Sequence, residues 1–250
     1  MNKIFITGAG GYVGARLVKK LLEKNNFVCA YDLFTYGDVL EQHKNLKIIK
    51  GDIRNKQLLK KVIPGNNIFI HLACISNDPS FELDPNLGKE INYDAFEPMV
   101  KIAKDSGVER FIYASSSSVY GLKNEKDVTE ESILEPLTDY SKFKAMCEDI
   151  LLKYNDNNFT GTIIRPATVC GYSVRQRFDL VVNILTNHAF NNGKIKVFGG
   201  DQLRPNIHIK DMINAYLKVI EADKSIISGQ VFNAGFENRT VSELAHKVKN

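Results

Sequence analysis

The chain has 250 residues, of which 44% are hydrophobic and 25% are charged, and both values are typical of a globular protein. The formal net charge is only +4 and the basic residues are dispersed, so we expect no nucleic-acid partner. No apolar run approaches the roughly 18 residues of a membrane span, and residues 1–3 lead directly into a predicted strand, so we expect a cytoplasmic protein without signal peptide or membrane association.

The first predicted elements are an apolar strand over residues 4–7 and a helix, with a glycine-rich turn between them. Glycines stand at positions 8, 10, 11 and 14, and apolar residues then recur at helical spacing. In dinucleotide-binding folds such glycines permit a tight turn, close approach of the backbone to a pyrophosphate, and close packing of helix and strand. Ordinary strand-to-helix turns also contain glycines, so this pattern alone leaves both interpretations open.

The second predicted strand, over residues 26–31, ends next to Asp32. An acidic residue about 20 positions beyond the glycines can accept hydrogen bonds from the adenosine ribose. A carboxylate there would repel a 2′-phosphate, so we predict NAD rather than NADP as the cofactor. A turn residue at the end of a strand is the alternative interpretation of Asp32.

The chain continues with alternating strands and helices. We predict a loop over residues 33–45, strands over 46–50 and 67–72, and a helix over 56–63. A polar loop over 74–85 precedes a long helix over 86–106, which Pro98 should bend or break. This alternation predicts βαβ units, and hence a Rossmann-type, doubly wound α/β fold with a parallel sheet.

Two stretches in the middle of the chain carry polar side chains suited to chemistry. A strand over 110–114 runs into a serine cluster at 115–118, and a helix is predicted over 139–154 after a charged loop. Tyr140 and Lys144 share one face of that helix. Taken alone, the pair equally fits a solvated helix face on which the lysine stem covers the tyrosine ring.

The C-terminal part is predicted to form smaller elements. We predict strands over 160–164, 194–198 and 229–233, helices over 178–189 and 211–221, a polar turn over 199–205, and a capping box at 240–243 that opens a last helix. Residues 1–170, continued by parts of 200–235, are assigned to the cofactor-binding domain. Residues 171–250 are assigned to a small substrate-binding subdomain that we expect to be truncated at its C-terminus.

The cysteines and histidines give no metal-ligand pattern. The four cysteines, Cys29, Cys74, Cys147 and Cys170, are far apart in the sequence and form no C-x-x-C pair. The five histidines are scattered as well. We therefore predict reduced structural thiols and no metal site.

Together these motifs resemble the extended short-chain dehydrogenase/reductases of the NAD-dependent epimerase/dehydratase family, which act on nucleotide sugars. The resemblance extends over essentially the whole chain. It rests on T-G-A-G-G-Y-V-G at 7–14, G-D-I at 51–53, H-L-A at 71–73, S-S-S-S-V-Y-G at 115–121, Y-x-x-x-K at 140–144, R-P at 165–166 and R-P-x-x-H-I-x-D at 204–211.

The resemblance implies a role for each matching residue. Ser116, Tyr140 and Lys144 would be catalytic, with Tyr140 as acid and base and Lys144 on the nicotinamide ribose. Ser116, Thr168 and Arg204 would bind the substrate, with Arg204 on its diphosphate, while Arg175 and Arg177 lie in the same region without an assigned role. The residues that would bind NAD, in addition to Tyr140 and Lys144, are Gly8, Gly10, Gly11, Tyr12, Val13, Gly14, Asp32, Asp52, Ile53, Leu72, Ala73, Asn92, Ser115 and Pro166.

Departures from the family pattern narrow the expected reaction. Dehydratases of this family carry acidic residues directly after the catalytic Ser/Thr, whereas Ser117 and Ser118 stand there in this chain. We therefore expect a UDP-glucose 4-epimerase-like enzyme that transfers a hydride at a sugar hydroxyl carbon, C4. An NAD(P)H-dependent 4-ketosugar reductase is the alternative, and a non-catalytic NAD-binding regulatory protein is a third hypothesis. The resemblance also implies a homodimer formed through the helices near 87–106 and 139–154.

Overall fold

The computed structural model describes residues 1–123 and 127–249. Its main sheet has seven parallel strands in the order β3-β2-β1-β4-β5-β6-β9, numbered along the chain. They are β1 (Lys3–Thr7), β2 (Phe27–Asp32), β3 (Leu46–Lys50), β4 (Ile68–His71), β5 (Arg110–Ala114), β6 (Thr160–Pro166) and β9 (Val231–Ala234). The run 3-2-1-4-5-6 is the strand order of a Rossmann fold, and it confirms the predicted fold class.

Three further strands form a separate small sheet. These are β7 (Thr168–Cys170), β8 (Leu203–His208) and β10 (Glu237–Thr240), with β8 in the centre. β7 runs parallel to β8, and β10 runs antiparallel to it. The small sheet thus combines β7, which lies before the predicted domain division at residue 170, with β8 and β10, which lie after it. β9 also lies after this division but belongs to the main sheet. The domain division at residue 170 stays a prediction.

Helices cover both faces of the main sheet. The helices of the described residues are α1 (Tyr12–Glu23), α2 (Lys56–Val62), α3 (Asp78–Glu82), α4 (Pro85–Lys89), α5 (Phe96–Asp105), α6 (Asp139–Tyr154), α7 (Val181–Asn192), α8 (Ile209–Glu221), α9 (Lys224–Ile227) and α10 (Val241–Lys249). On one face, Ile4 and Ile6 of β1 pack in one core with α1 and α8. On the other face, Phe5 packs in a second core with α2, α5 and α6. Side chains alternate between the faces of a strand, so β1 contributes to both cores.

Most predicted elements are confirmed, and the predicted helix over 139–154 agrees with α6 at both ends. The N-terminus of α6 is stabilised by a capping box, in which Thr138 and Ser141 bond each other's backbone N–H groups. A second capping box between Thr240 and Glu243 precedes α10, as predicted. These signals are local, which is why the sequence alone reveals them.

The long helix predicted over 86–106 is interrupted at a different place from the one expected. A π-helical turn over Glu90–Asp94 separates α4 from α5, and the N–H of Ala95 bonds the carbonyl oxygen of Glu90 at 3.0 Å. Pro98 lies in the first turn of α5, where its missing N–H has no intrahelical partner to lose. The helix is thus interrupted near Pro98, but at the π turn that precedes it, and a bend at Pro98 itself stays a prediction.

Three predicted elements differ from the structure: the strand over 194–198, the polar turn over 199–205 and the loop over 74–85. Residues 194–198 form no strand, whereas β8 begins inside the segment predicted as a polar turn. β8 is set by pairing with β7 and β10, which are distant in the sequence, so its own local pattern does not reveal it. The predicted polar loop over 74–85 contains the short helix α3.

Candidate active site

The glycine-rich turn lies at the carboxyl end of β1 and requires glycine at two positions. Gly8 has a φ of +72°, and a Cβ there would lie 2.6 Å from the backbone nitrogen of Ala73. A Cβ on Gly14 would lie 2.1 Å from the carbonyl oxygen of Gly8, so α1 packs directly on the turn. Gly11 is the N-cap of α1 and provides no side-chain cap, which leaves the first N–H groups of the helix for a ligand.

Asp32 is brought to this turn from the end of β2. Its Oδ2 accepts a hydrogen bond from the N–H of Gly10 at 3.0 Å, and its Oδ1 accepts one from the N–H of Phe34 at 2.7 Å. Phe34 adopts a left-handed backbone conformation, with a φ of +49°. Each carboxylate oxygen retains accepting capacity, so Asp32 is oriented beside the glycine turn for a further donor.

The other residues expected around the cofactor occupy more varied positions. Asp52 forms a salt bridge with Arg54 at 2.7 Å, and hydrogen bonding to Arg54 lowers the pKa of Asp52. Ile53 is buried in the second core, and Val13 and Leu72 pack against the first. Asn92 exchanges two hydrogen bonds of 2.9 Å with the backbone of Ile75, so its amide holds the loop that follows Ala73. That bonding makes Asn92 a positioning group for the loop in this structure.

The three residues expected to be catalytic come together beyond the carboxyl end of β5. Ser116 caps a 3₁₀ turn over Ser117–Tyr120, and its Oγ accepts a hydrogen bond from the N–H of Ser118 at 3.1 Å. Lys144 is 4% exposed, and its Nζ donates to the carbonyl oxygen of Ala114 at 2.7 Å. The same Nζ lies 5.8 Å from the centroid of the Tyr140 ring. The main-sheet strand β5 and helix α6 thus place the serine, tyrosine and lysine at one edge.

The environment of Tyr140 contains opposing effects. Burial raises the pKa of the phenol above its ordinary value, and the nearby cations Lys144 and Arg177 and the polar side chain of Ser116 act to lower it. Burial also acts to lower the pKa of Lys144, but the neighbouring Cys74 thiol and Tyr140 phenol raise it overall, so the amine stays charged. In the protein alone, burial outweighs these groups and the pKa of Tyr140 stays above its ordinary value.

Residues 171–183 form a strap across the start of α1, held by the side chain and backbone of Tyr12. The Tyr12 hydroxyl donates to the carbonyl oxygen of Gly171 at 2.6 Å, and the Ser173 hydroxyl donates to the carbonyl oxygen of Tyr12 at 2.8 Å. Further along the strap, the guanidinium of Arg175 lies 3.8 Å from the centroid of the Tyr36 ring. The strap therefore connects the glycine turn with the loop that follows Asp32.

Comparison with known proteins agrees with this geometry. A profile of the NAD dependent epimerase/dehydratase family matches residues 4–235. The chain belongs to this family. The UDP-glucose 4-epimerase of Lactobacillus helveticus is 25% identical, over 98% of this chain and 81% of its own length. The dTDP-D-glucose 4,6-dehydratase of Dictyostelium discoideum is 28% identical, over 100% of this chain but only 62% of its own length.

A solved structure of MoeE5 in complex with UDP-glucose and NAD is also similar. It has a TM-score of 0.85 and 27% identity, and the match covers 98% of this chain and 80% of that one. These comparisons confirm the resemblance that the motifs predict. Both epimerases and dehydratases are among the relatives, so the comparisons define the family rather than the particular reaction.

The structure contains a buried network, beneath the residues expected to be catalytic, that the sequence did not predict. Glu148 lies one turn after Lys144 on α6 and pairs with Arg165 of β6 at 2.6 Å, with side chains that are only 3% and 6% exposed. Ser115 donates a hydrogen bond to the same carboxylate, and Arg165 donates to the Tyr120 hydroxyl at 2.8 Å. Arg165 belongs to a motif quoted above, but no local signal indicates that Glu148 is its partner.

Arg177 is a second feature whose position only the structure reveals. Its Nε donates to Asp179 at 3.0 Å, and Asp179 also accepts a hydrogen bond of 2.8 Å from Asn77. Hydrogen bonding to Arg177 lowers the pKa of Asp179 to about 2. The strap is thereby connected to the loop after β4, and it brings a cation close enough to influence Tyr140.

The predicted substrate residues lie on the small sheet and near Tyr140. Thr168 is paired with Asn206 across β7 and β8, and Arg204 is an exposed residue of β8. Pro166 is the last residue of β6.

A cavity of about 210 Å³ borders Tyr140 and is lined in part by Asp78, Phe81 and Leu137. One carboxylate oxygen of Asp78, Oδ1, is buried without a hydrogen-bond partner among the described residues.

Two further findings apply to residues 1–123 and 127–249. No group of three or more His, Cys, Asp or Glu side chains in this part is arranged to hold a metal ion. None of its helices combines the length and the apolar character that crossing a membrane requires.

Proposed function

We propose that this protein is an NAD-dependent nucleotide-sugar epimerase that acts at a sugar hydroxyl carbon, C4. The observation that carries the proposal is the arrangement at the end of β5, where the Lys144 ammonium lies beside the Tyr140 ring and Ser116 follows the strand end to which Lys144 is bound. A cation next to a phenol favours the phenolate, and a phenolate can remove the proton of a sugar hydroxyl.

The residues around the glycine turn fit NAD. The close contact between Gly8 and Ala73 and the uncapped start of α1 form a cradle that a Cβ would fill, suited to a pyrophosphate. Asp32, held at Gly10, would accept hydrogen bonds from the adenosine ribose, and Lys144 would hold the nicotinamide ribose. MoeE5, a similar structure, was solved with NAD and UDP-glucose. When bound, NAD supplies a hydride acceptor that can return the hydride.

In the proposed reaction, Tyr140 moves the proton. Tyr140 as phenolate would take the proton of the C4 hydroxyl as the C4 hydrogen leaves as hydride for the acceptor that bound NAD would supply. After the ketosugar has turned, the hydride would return to the opposite face of C4 and Tyr140 would return the proton to the oxygen. Ser116 orients the reacting oxygen, while Lys144 and Arg177 stabilise the negative charge on Tyr140. Because burial raises the pKa of Tyr140 in the protein alone, the positive nicotinamide ring is expected to complete the stabilisation of the phenolate.

Several observations favour epimerisation over related reactions. Ser117 and Ser118 follow Ser116, so the acidic residues that assist water elimination in dehydratases are replaced. Asp32 favours NAD, which an epimerase regenerates in each cycle. A 4-ketosugar reductase remains the second candidate because it would use the same Tyr140 and Lys144. A non-catalytic NAD-binding role is disfavoured by the intact arrangement of Ser116, Tyr140 and Lys144.

Replacing the catalytic phenol tests the proposal. Tyr140→Phe should lower kcat by about 10²- to 10⁴-fold, because the acid and base of the reaction is removed. NAD affinity should stay nearly unchanged. The assay is conversion of UDP-, dTDP-, GDP- and CDP-sugars, with NADH oxidation by ketosugars measured in parallel to detect a reductase.

Tyr154→Phe is the matched control, because the Tyr154 hydroxyl lies at the other end of α6 and hydrogen-bonds Glu97 at 3.1 Å. Unchanged turnover in Tyr140→Phe would contradict the proposal. Net consumption of NADH with a ketosugar, without epimerisation, would favour the reductase.

We also propose a cytoplasmic homodimer. The four cysteines are free, which supports a reducing compartment. Of the apolar residues on the helical segments that would form the interface, Met146 is exposed, whereas Ile91 and Ile150 are half-buried and pack against the second core. Three others, Met99, Ile102 and Leu151, are buried in the second core and support the fold instead.

A further inference from the structure

The small sheet places two arginines directly opposite each other. In the antiparallel pairing of β8 and β10, Arg204 is the partner of Arg239. Side chains at paired positions project from the same face of a sheet, with Cβ atoms about 4.5–5.5 Å apart. Two like charges in this arrangement repel each other unless an anion lies between them.

The carboxylates nearby do not neutralise this pair. Glu237 accepts a hydrogen bond from Arg239 at 2.9 Å and is also bound by Lys247 at 3.2 Å, so one carboxylate serves two cations. Glu243 also attracts Arg239, but its carboxylate accepts the N–H of Thr240 as part of the capping box. Within the described residues, Arg204 has no acidic side chain at ion-pair distance. The face therefore carries surplus positive charge.

A buried amide on the same face independently indicates a ligand. Asn206 is paired with Thr168 on one side and with Glu237 on the other, and it is only 5% exposed. Its Nδ2 donates to the carbonyl oxygen of Arg204 at 2.6 Å. Its Oδ1 is buried without a hydrogen-bond partner among the described residues. Buried acceptors are normally paired, so this oxygen is suited to a hydroxyl or N–H group of a bound molecule.

We propose that Arg239 is a second phosphate-binding residue, which holds the diphosphate of the nucleotide-sugar substrate together with Arg204. The inference rests on the proposed function, because that function brings a diphosphate to Arg204. Two guanidinium groups can bind a diphosphate through several charge-assisted hydrogen bonds. Glu237 then acts as the competing anion that occupies Arg239 when no substrate is bound, and the Asn206 oxygen accepts a hydrogen bond from the nucleotide sugar.

Calorimetric titration of the NAD-loaded protein with UDP and with dTDP tests this inference. Arg239→Gln should weaken binding about 10- to 100-fold, the value of one charged hydrogen-bonding group. Glu237→Gln should tighten binding about two- to fivefold, because it removes the competing carboxylate. The two variants are expected to change the affinity in opposite directions. A general loss of structure would weaken binding in both, so the opposite changes indicate a direct effect on phosphate binding.

Lys247→Gln is the matched control. Lys247 is the second cation bound to Glu237, so this variant also removes one positive charge beside that carboxylate. We expect the affinity for UDP and dTDP to change by less than about twofold. Equal losses in Arg239→Gln and Lys247→Gln would overturn the inference, and so would weaker binding in Glu237→Gln. Failure of the wild-type protein to bind either UDP or dTDP would overturn it as well.

The titration needs no turnover, so it separates this inference from the proposed function. Binding of UDP or dTDP that depends on Arg239, in a protein without epimerase activity, would support the inference and contradict the function. Epimerase activity in the wild-type protein, together with unchanged affinity for UDP and dTDP in Arg239→Gln, would support the function and contradict the inference.

Discussion

At the scale of single residues, the proposed chemistry depends on how the charge on Tyr140 is stabilised. The phenol lies in a buried environment that favours the neutral form, and Lys144, Arg177 and Ser116 oppose this effect. Lys144 and Ser116 belong to motifs that the sequence reveals. Arg177 reaches the site through the strap, and its pairing with Asp179 holds it there.

The contribution of Arg177 leads to a prediction about pH. In the proposed reaction the active form of Tyr140 is the phenolate, so we expect activity to rise with pH through the pKa of the phenol. Because Arg177 lowers that pKa, Arg177→Gln should move the rising limb of the kcat profile to higher pH and lower the activity near neutral pH. The measurement is kcat against pH at saturating NAD and substrate.

Arg175→Gln serves as the control for this profile, because it removes an equal charge from the same strap at a side chain that lies over Tyr36. If the rising limb of the kcat profile stays in place in Arg177→Gln, or moves to lower pH, Arg177 does not stabilise the phenolate.

At the scale of elements, α6 and β6 are joined by a buried ion pair below the active site. Glu148 and Arg165 are almost completely buried, and Ser115 and Tyr120 satisfy further hydrogen bonds of the pair. Glu148 follows Lys144 by one helical turn, and Ser115 directly precedes Ser116. The network therefore fixes the relative positions of the helix and the strand end that carry the catalytic groups.

Breaking this pair should destabilise the protein strongly. Glu148→Leu leaves the Arg165 guanidinium buried without its carboxylate, and we expect a loss of about 3–5 kcal/mol in the free energy of unfolding. Urea denaturation measures the effect. Glu23→Gln, which breaks the exposed pair between Lys20 and Glu23, is expected to cost only about 0–1 kcal/mol. Similar losses in the two variants would contradict the structural role of the Glu148–Arg165 pair.

At the scale of the whole molecule, the strap connects the main sheet with the small sheet. The strap binds Tyr12 at the start of α1, continues from the small sheet, and reaches the loop after β4 through Asp179 and Asn77. The predicted cofactor residues are contributed by the main sheet, whereas Arg204 and Arg239 are contributed by the small one. A cofactor and a nucleotide sugar would therefore be held by different sheets and meet at Tyr140.

The proposed homodimer is tested at the same scale. Sedimentation equilibrium should give twice the mass of one chain, and Met146→Asp should shift the equilibrium toward the monomer, because it places a charge on the exposed face of α6. Leu83→Asp is the control, since Leu83 is exposed outside α5 and α6. A wild-type mass that matches one chain would refute the homodimer.

The sequence by itself determined the features that depend on neighbouring residues. The glycine turn, Asp32, the capping box of α10, and the spacing of Tyr140 and Lys144 are all encoded within a few positions, so local patterns reveal them. The alternation of strands and helices likewise predicted a Rossmann-type α/β fold with a parallel sheet.

Only the tertiary structure decided which distant residues meet. The pairing of β8 with β7 and β10, the partnership of Glu148 with Arg165, and the approach of Arg177 to Tyr140 join residues that are far apart in the chain. Strand pairing and burial of charge depend on the packing of whole elements, and no local pattern records that packing. For the same reason, Arg239 is an ordinary basic residue in the sequence and becomes the cross-strand partner of Arg204 in the folded protein.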